Sequence, residues 1–152
     1  MTSKSLHRRT TARLAAVQAL YQMEQTGVGV DTVVLEFKTH RLGGDIEGEI
    51  LHDADDDFFE ENVRGVVRAQ AKIDPYIDAH LASGWSLKRL NSISRAILRS
   101  AAFEFIHFPD VPKKTVMNEY VEIAKSFFDQ KETSFVNGVL DAIGNDIRGG
   151  DA

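Results

Sequence analysis

Apolar residues recur every three or four positions along most of the chain, which is the spacing of one face of an α-helix. In the first such stretch Leu14, Val17 and Leu20 lie on one stripe, which predicts a helix over about residues 8–25 that ends at Gly27. Six further stretches repeat this period, and they centre on Val33–Phe37, Phe58–Ala71, the segment after Pro75, Ile93–Phe108, Val116–Phe127 and Phe135–Ile147. No segment shows the alternation of apolar and polar residues that is typical of a strand.

The pair Asp74-Pro75 is typical of a helix start, with Asp as the N-cap and Pro at the first helical position. We therefore predict an N-terminal three-helix subdomain over residues 1–73 and a C-terminal four-helix subdomain over residues 74–152. About seven helices without strands indicate an all-α fold of two packed helical subdomains.

Gly138 lies inside the last predicted helix, where a glycine costs about 1 kcal/mol relative to alanine. A glycine that is kept at such a cost usually marks a place where two helices approach closely. We therefore expect a close helix crossing at Gly138.

Charge is distributed unevenly around a net charge of −5. Residues 1–23 hold four basic residues and no acid, whereas residues 45–61 hold nine acids and no Lys or Arg. We interpret residues 43–57 as a solvated acidic loop whose last aspartates cap the next helix. The acidic balance argues against a protein that coats nucleic acid non-specifically, but the basic end can still bind a polyanion locally.

The sequence offers little metal chemistry. The absence of cysteine excludes thiolate metal sites and disulfides, and the five histidines never take the H-x-x-x-H spacing of a helical zinc pair. Asp53-x-Asp55-x-Asp57 matches the opening of a calcium loop, but Phe58 replaces the required glycine and Arg64 the bidentate glutamate. We predict no metal site.

Motifs of catalysis and of membrane insertion are also missing. The chain has no P-loop, no dinucleotide-binding glycine motif and no nucleophile elbow. Glu104 and Glu119 could form an acid/base pair, although helix-borne glutamates more commonly tie helices together or face water. We predict no catalytic residue, no cofactor and no enzymatic activity. No apolar run reaches the roughly 18 to 20 residues of a bilayer span, so we expect a cytoplasmic protein.

Basic residues at the N-terminus are the strongest binding candidates. Arg9 and Arg13 are four positions apart and share a helix face, Arg8 lies at the edge of that face, and Lys4 precedes the helix. Guanidinium groups donate hydrogen bonds in a planar fork that suits phosphate oxygens, and they stack on bases. A purely solubilising role for these side chains stays open.

Three stretches of the chain carry a family resemblance. Residues 8–22 read R-R-T-T-A-R-L-A-A-V-Q-A-L-Y-Q, and residues 135–140 read F-V-N-G-V-L. Between them lie Trp85, Arg89-Leu90, Ile97-Leu98-Arg99, Glu104, Val111-Pro112 and the segment M-N-E-Y-V-E-I-A-K over residues 117–125. In this order and at this spacing they resemble the NusB family of transcription antitermination factors.

The resemblance implies an all-α fold in two helical subdomains and a role without catalysis. Members of the family pair with NusE, a ribosomal small-subunit protein that doubles as an elongation factor. The pair binds the single-stranded boxA element of nascent ribosomal RNA leaders, and the complex helps RNA polymerase read through terminators. The resemblance therefore predicts NusE, boxA-type RNA and the RNA polymerase antitermination complex as partners.

The resemblance also implies residues on the RNA side. Arg8, Arg9 and Arg13 match the arginine-rich stretch of the family, and Phe135 could offer its ring to an unstacked base. Packing in the core is an equally open role for Phe135. Ser134 replaces a common Lys or Arg, and Lys131 can compensate for that loss of charge. The predicted RNA-binding residues are Lys4, Arg8, Arg9, Arg13, Lys131 and Phe135.

On the partner side, Tyr21 and Gln22 of the first helix and Ser94 and Arg95 at the start of the long helix correspond to the surface that faces NusE. Ser94 departs from the family pattern, which usually has Asp or Glu before the basic residue. This departure puts one partner contact in doubt.

Two other functions stay open. The chain resembles in fold the RNA-targeting module of ribosomal RNA cytosine methyltransferases, but that enzyme needs a Rossmann-type domain and a cysteine nucleophile. We find neither in this sequence. A homodimer that uses the apolar helix faces as a storage form is the third hypothesis.

Overall fold

A computed structural model describes residues 3–40 and 55–149 of the chain. Within these ranges the protein consists of six α-helices and one short 3₁₀ helix, without strands. The α-helices are α1 (Ser3–Thr26), α2 (Val30–His40), α3 (Asp56–Ala79), α4 (Ser92–His107), α5 (Lys113–Phe127) and α6 (Gln130–Arg148), and the 3₁₀ helix spans Leu87–Arg89. The predicted all-α class is confirmed, whereas residues 43–54 of the predicted acidic loop lie outside the described residues.

The chain divides into two compact units, residues 1–67 and 68–152, and the division falls inside α3. The predicted helix start at Asp74-Pro75 is wrong, because α3 continues through Pro75. Asp74 does not act as an N-cap, since its carboxylate accepts two hydrogen bonds of 2.9 Å from the guanidinium of Arg99. Proline has no backbone N–H, so α3 lacks one helical hydrogen bond at Pro75. The burial of Ile73 and Ile77 on either side of Pro75 offsets this loss.

In the first unit, α1 packs on α2 through small residues. Four alanines of α1 are buried and let the neighbouring backbone approach: Ala12, Ala15, Ala16 and Ala19. The rings of Phe37 on α2 and Phe59 on α3 stack with their centroids 5.5 Å apart. These contacts place the apolar stripe of each helix in one core.

Ion pairs on the surface of this unit connect α2 with α3. Glu60 accepts hydrogen bonds from Lys38 at 2.8 Å and from Arg64 at 2.7 Å, and Arg64 also donates to Asp31 at 2.7 Å. The bonds from Lys38 and Arg64 lower the pKa of the Glu60 carboxyl below its ordinary value of 4.5. Their contribution to stability is therefore present at neutral pH and is lost as the pH falls through that lowered pKa.

In the second unit, α4, α5 and α6 pack against one another around a buried polar chain. The hydroxyl of Tyr120 on α5 donates to Glu104 on α4 at 2.9 Å and lies 2.9 Å from the hydroxyl of Ser100. All three side chains are fully buried. The interpretation that Glu104 ties one helix to another is thus confirmed.

No helix in the described part of the chain combines the length and the apolar character of a membrane span.

The close helix crossing lies at Gly144 rather than at Gly138, so the prediction for Gly138 is wrong. A Cβ atom added at Gly144 would lie 3.0 Å from the Phe105 ring, whereas a Cβ atom at Gly138 would meet nothing within 4 Å. Gly144 therefore allows the approach of α4 to α6, and Gly138 lies beside open space.

The two glycines predict opposite responses to alanine. Gly138→Ala should raise the free energy of unfolding by about 0.5 to 1 kcal/mol, because it removes the conformational cost of a helical glycine. Gly144→Ala should show no such gain, because its methyl group forces the buried Phe105 ring to shift. Urea unfolding of both variants measures the difference. Equal stabilisation by the two substitutions would contradict the assigned crossing.

Candidate nucleic-acid interface

The basic end of α1 lies against the start of α3. The ring of Phe58 is buried, and the guanidinium carbons of Arg9 and Arg13 lie 4.4 Å and 5.1 Å from its centroid. The two arginines are one helical turn apart, so they reach the same ring from one face of α1. Cation–π attraction therefore attaches this face to α3.

Asp55 makes a second connection at the same place. Its backbone N–H donates to the carbonyl of Arg8 at 3.0 Å, and its carboxylate accepts from the backbone N–H of Phe58 at 3.0 Å. The same carboxylate lies 3.6 Å from Nε of Arg9. Asp55 thus caps α3 and neutralises part of the charge of α1. The prediction that the last aspartates of the acidic segment cap the next helix is confirmed.

Exposure distinguishes the three arginines. Arg13 is only 4% exposed, the side chain of Arg9 is 34% exposed, and Arg8 is exposed. The face shared by Arg9 and Arg13 is therefore largely occupied by Phe58, and Arg8 is the arginine best placed to meet an anion. The side chain of Lys4 lies outside the described residues.

A surface pocket of about 460 Å³ lies in the second unit. Its wall contains Lys131 and Phe135, which were predicted together, and also Trp85, Arg89, Leu90, Asn91, Asp129 and Glu132. We call it the aromatic pocket. The rings of Trp85 and Phe135 meet with their centroids 5.8 Å apart and their planes at 49°. Phe135 is half-buried and lines this pocket, while its neighbour Val136 lies in the core.

Two helix starts meet at the aromatic pocket. Asn91 caps α4 by accepting from the backbone N–H of Ser94 at 2.8 Å, and Asp129 caps α6 by accepting from that of Glu132 at 3.0 Å. Glu132 also accepts hydrogen bonds from the hydroxyl of Ser94 at 3.0 Å and from the amide of Asn91 at 3.4 Å. These bonds connect the start of α4 to the start of α6 and fix the Glu132 carboxylate in the wall.

The turn before the 3₁₀ helix positions Trp85 and Arg89. Gly84 has a φ of +89°, a left-handed conformation that glycine adopts without strain. Its carbonyl accepts a hydrogen bond of 2.5 Å from Arg89, whose guanidinium lies 5.8 Å from the centroid of the Trp85 ring. Trp85 keeps 51% of its surface exposed. The turn therefore presents a large aromatic face to solvent with a cation beside it.

The predicted partner-side residues differ in accessibility. Tyr21 is 39% exposed on α1, and Gln22 donates to Glu36 of α2 at 3.3 Å. Ser94 is fully buried, and its hydroxyl donates to Glu132. Arg95 donates to the carbonyls of the 3₁₀ turn, including that of Leu90. Tyr21 is thus the most accessible of the four, and the side chains of Ser94 and Arg95 serve the local fold.

No binding role was predicted for the other six residues of the aromatic pocket, namely Trp85, Arg89, Leu90, Asn91, Asp129 and Glu132. One signal was available, because Trp85 is the single tryptophan of the chain and a basic residue follows it at position 89. The contact between Trp85 and Phe135, fifty positions later in the sequence, can be seen only in the folded structure.

Metal binding receives no support in the described residues, which contain no group of three or more His, Asp or Glu side chains placed to hold an ion. Asp53 of the calcium-like motif lies outside the described residues. The carboxylate of Asp55 is used in the helix cap and in the contact with Arg9.

Comparison with known proteins adds independent information. The NusB family model matches residues 10–145. The chain is 56% identical over 148 residues to the transcription antitermination protein NusB of Caulobacter vibrioides, a match that covers 97% of this chain and 99% of that protein. It is 50% identical to the protein of the same name from Bradyrhizobium diazoefficiens, with 98% and 90% of the two chains covered.

Solved structures agree with this match. NusB of T. maritima superposes with a TM-score of 0.73 at 28% identity, covering 95% of this chain and 92% of that one. A crystal structure of the antitermination factors NusB and NusE in complex with dsRNA gives a TM-score of 0.72 at 28% identity, covering 92% and 98%. Sequence and fold together show that this chain belongs to the NusB family of transcription antitermination factors.

Proposed function

We propose that this protein pairs with NusE, binds the boxA element of nascent ribosomal RNA and helps RNA polymerase read through terminators, without catalysing a reaction. The observation that carries the proposal is the family match across residues 10–145, together with the similarity to a NusB that was crystallised with NusE and RNA. The relatives are named as antitermination proteins, which favours this role over a methyltransferase module. Action on nascent transcripts implies a cytoplasmic location.

The RNA contacts of this proposal involve two surfaces, one in each unit. At the basic end of α1, Arg8 is exposed and contacts phosphates, while Arg9 contributes the part of its guanidinium that Asp55 and Phe58 leave open. In the aromatic pocket, Phe135 and Lys131 supply a ring and a positive charge. Aromatic rings beside cations are the usual elements of single-strand recognition.

The NusE contact centres on Tyr21. It is a large amphipathic side chain that remains exposed on α1, and tyrosine is enriched among the residues that dominate interface energies. Ser94 is less suited to a direct contact, because it is buried and bonded to Glu132.

The arginines predict a graded response of RNA binding to salt. Each lost phosphate contact should reduce the slope of log affinity against log salt by about 0.7. We expect Arg8→Ala to reduce the slope by this amount of about 0.7. Its free energy of unfolding should stay within about 0.5 kcal/mol of wild type. Arg13→Ala should instead lower the free energy of unfolding by about 1 to 3 kcal/mol, because it uncovers Phe58.

These effects are measured by titrating boxA-type RNA at several salt concentrations, with NusE present, and by urea unfolding. Arg68→Ala, which removes an exposed arginine elsewhere on the chain, is the control. An unchanged salt slope for Arg8→Ala, with wild-type stability, would exclude Arg8 as a phosphate contact.

Tyr21→Asp should weaken NusE binding by at least about 30-fold, because the loss of an anchor residue typically costs about 2 kcal/mol or more. Its fold should be retained, since Tyr21 is exposed. Leu35→Asp changes another exposed apolar residue of the same unit and should leave NusE binding unaltered. Isothermal titration with NusE, with circular dichroism as the folding check, distinguishes the two variants. Wild-type affinity in Tyr21→Asp would place the NusE surface elsewhere.

A further inference from the structure

The aromatic pocket has the size and walls of a site for a planar ligand. Its volume of about 460 Å³ lies within the range of small-ligand sites. Trp85 keeps 51% of its surface exposed, Phe135 meets its ring at an angle, and the guanidinium of Arg89 lies 5.8 Å from the ring centroid. Because the ring centroids are 5.8 Å apart, a base cannot lie between them, since two stacking distances of about 3.4 Å are required. The pocket therefore has room for a single base that stacks on Trp85, with the Phe135 ring at the edge of that base.

The charges in the pocket favour a base over a phosphate group. Arg89 and Lys131 are balanced by Asp129 and Glu132, so the wall carries no formal net charge. A phosphate site needs an excess of positive charge and of hydrogen-bond donors. A neutral base with donors on one edge suits this wall better, and the two cations can neutralise the phosphates on either side of that base.

Glu132 is the acceptor that can read such an edge. Its carboxylate is held by the hydroxyl of Ser94 and the amide of Asn91, and both bonds go to the same oxygen. A carboxylate has about four acceptor positions, so two of them remain for a ligand. Both of these positions are on the other carboxylate oxygen, Oε1, which can accept hydrogen bonds from two neighbouring donors at once.

Among the four RNA bases, guanine presents two adjacent donors on its Watson–Crick edge, N1–H and the N2 amino group. We propose that the aromatic pocket binds one unpaired guanine of the RNA, with Trp85 as the stacking platform and Glu132 as the reader of the base edge. This inference rests on the proposed RNA-binding function.

The first test uses the fluorescence of Trp85, the single tryptophan of the chain. The probe is a short oligouridine that carries one guanosine and a terminal dye, so that dye anisotropy reports RNA binding independently of the tryptophan. We expect the emission of Trp85 to be quenched with the same midpoint as the rise in anisotropy. The titration is repeated with NusE present.

The possible outcomes separate this inference from the proposed function. RNA binding without quenching would overturn the pocket assignment and leave the proposed function intact. If neither the probe nor boxA-type RNA binds, with or without NusE, both fail. Quenching by NusE alone, without a further change on adding RNA, would show that the pocket holds protein and would also overturn the inference.

Variants test the two roles by anisotropy. Trp85→Ala should weaken binding of the guanosine probe by about 5- to 150-fold, whereas Trp85→Phe should keep most of the affinity. Phe127→Ala, which removes an exposed aromatic side chain outside the pocket, should have no effect. Wild-type affinity in a folded Trp85→Ala variant would contradict the stacking role.

Glu132→Gln keeps an oxygen that can accept from Ser94 but removes the negative carboxylate. Replacing the guanosine of the probe by adenosine should weaken wild-type binding by about 5- to 150-fold, and Glu132→Gln should lose most of this preference. Glu122→Gln, on the exposed face of α5, is the matched control and should keep the preference. Equal preference for guanosine in wild type and Glu132→Gln, or no preference in wild type, would overturn the reading role.

Discussion

The backbone amides at the start of a helix have no partner within the helix, and the need to satisfy them organises both candidate surfaces. Asp55 caps α3 and at the same time contacts Arg9 of α1. Asn91 caps α4 and also donates to Glu132, whose backbone amide is bonded to the α6 cap, Asp129. Each cap therefore performs a local task and also holds a charged side chain in a defined place.

At the basic end of α1, contacts within the protein use part of the positive charge of the three arginines. A buried guanidinium needs compensation, and the ring face of Phe58 supplies part of it for Arg13. The guanidinium of Arg9 contacts Asp55 and Phe58 and stays partly exposed, whereas Arg8 is exposed and close enough to Asp56 to interact with its carboxylate. The arginine-rich motif thus contains one arginine that is buried in the protein and two that keep exposed surface.

The fold class could be predicted from the sequence because helical periodicity is a local property. The course of α3 could not, because the ion pair between Asp74 and Arg99 joins residues 25 positions apart and overrides a strong local start signal. Similarly, motif and charge predicted Phe135 and Lys131, which line the same pocket, whereas the place of Trp85 in that pocket depends on its contact with the Phe135 ring. At Ser94 the sequence departs from the family pattern, which put one partner contact in doubt. The burial of Ser94 and its hydrogen bond to Glu132, 38 positions later, could not be predicted from the sequence.

If the proposed function is right, RNA contacts both the start of α1 and the aromatic pocket. Both contacts can be detected in one experiment, in which boxA-type RNA that contains 4-thiouridine is photo-cross-linked in the complex with NusE and the products are identified by mass spectrometry. We expect cross-linked peptides from the start of α1, around Arg8, and from the segments that contain Trp85 and Phe135. Cross-links confined to other parts of the chain would contradict this prediction.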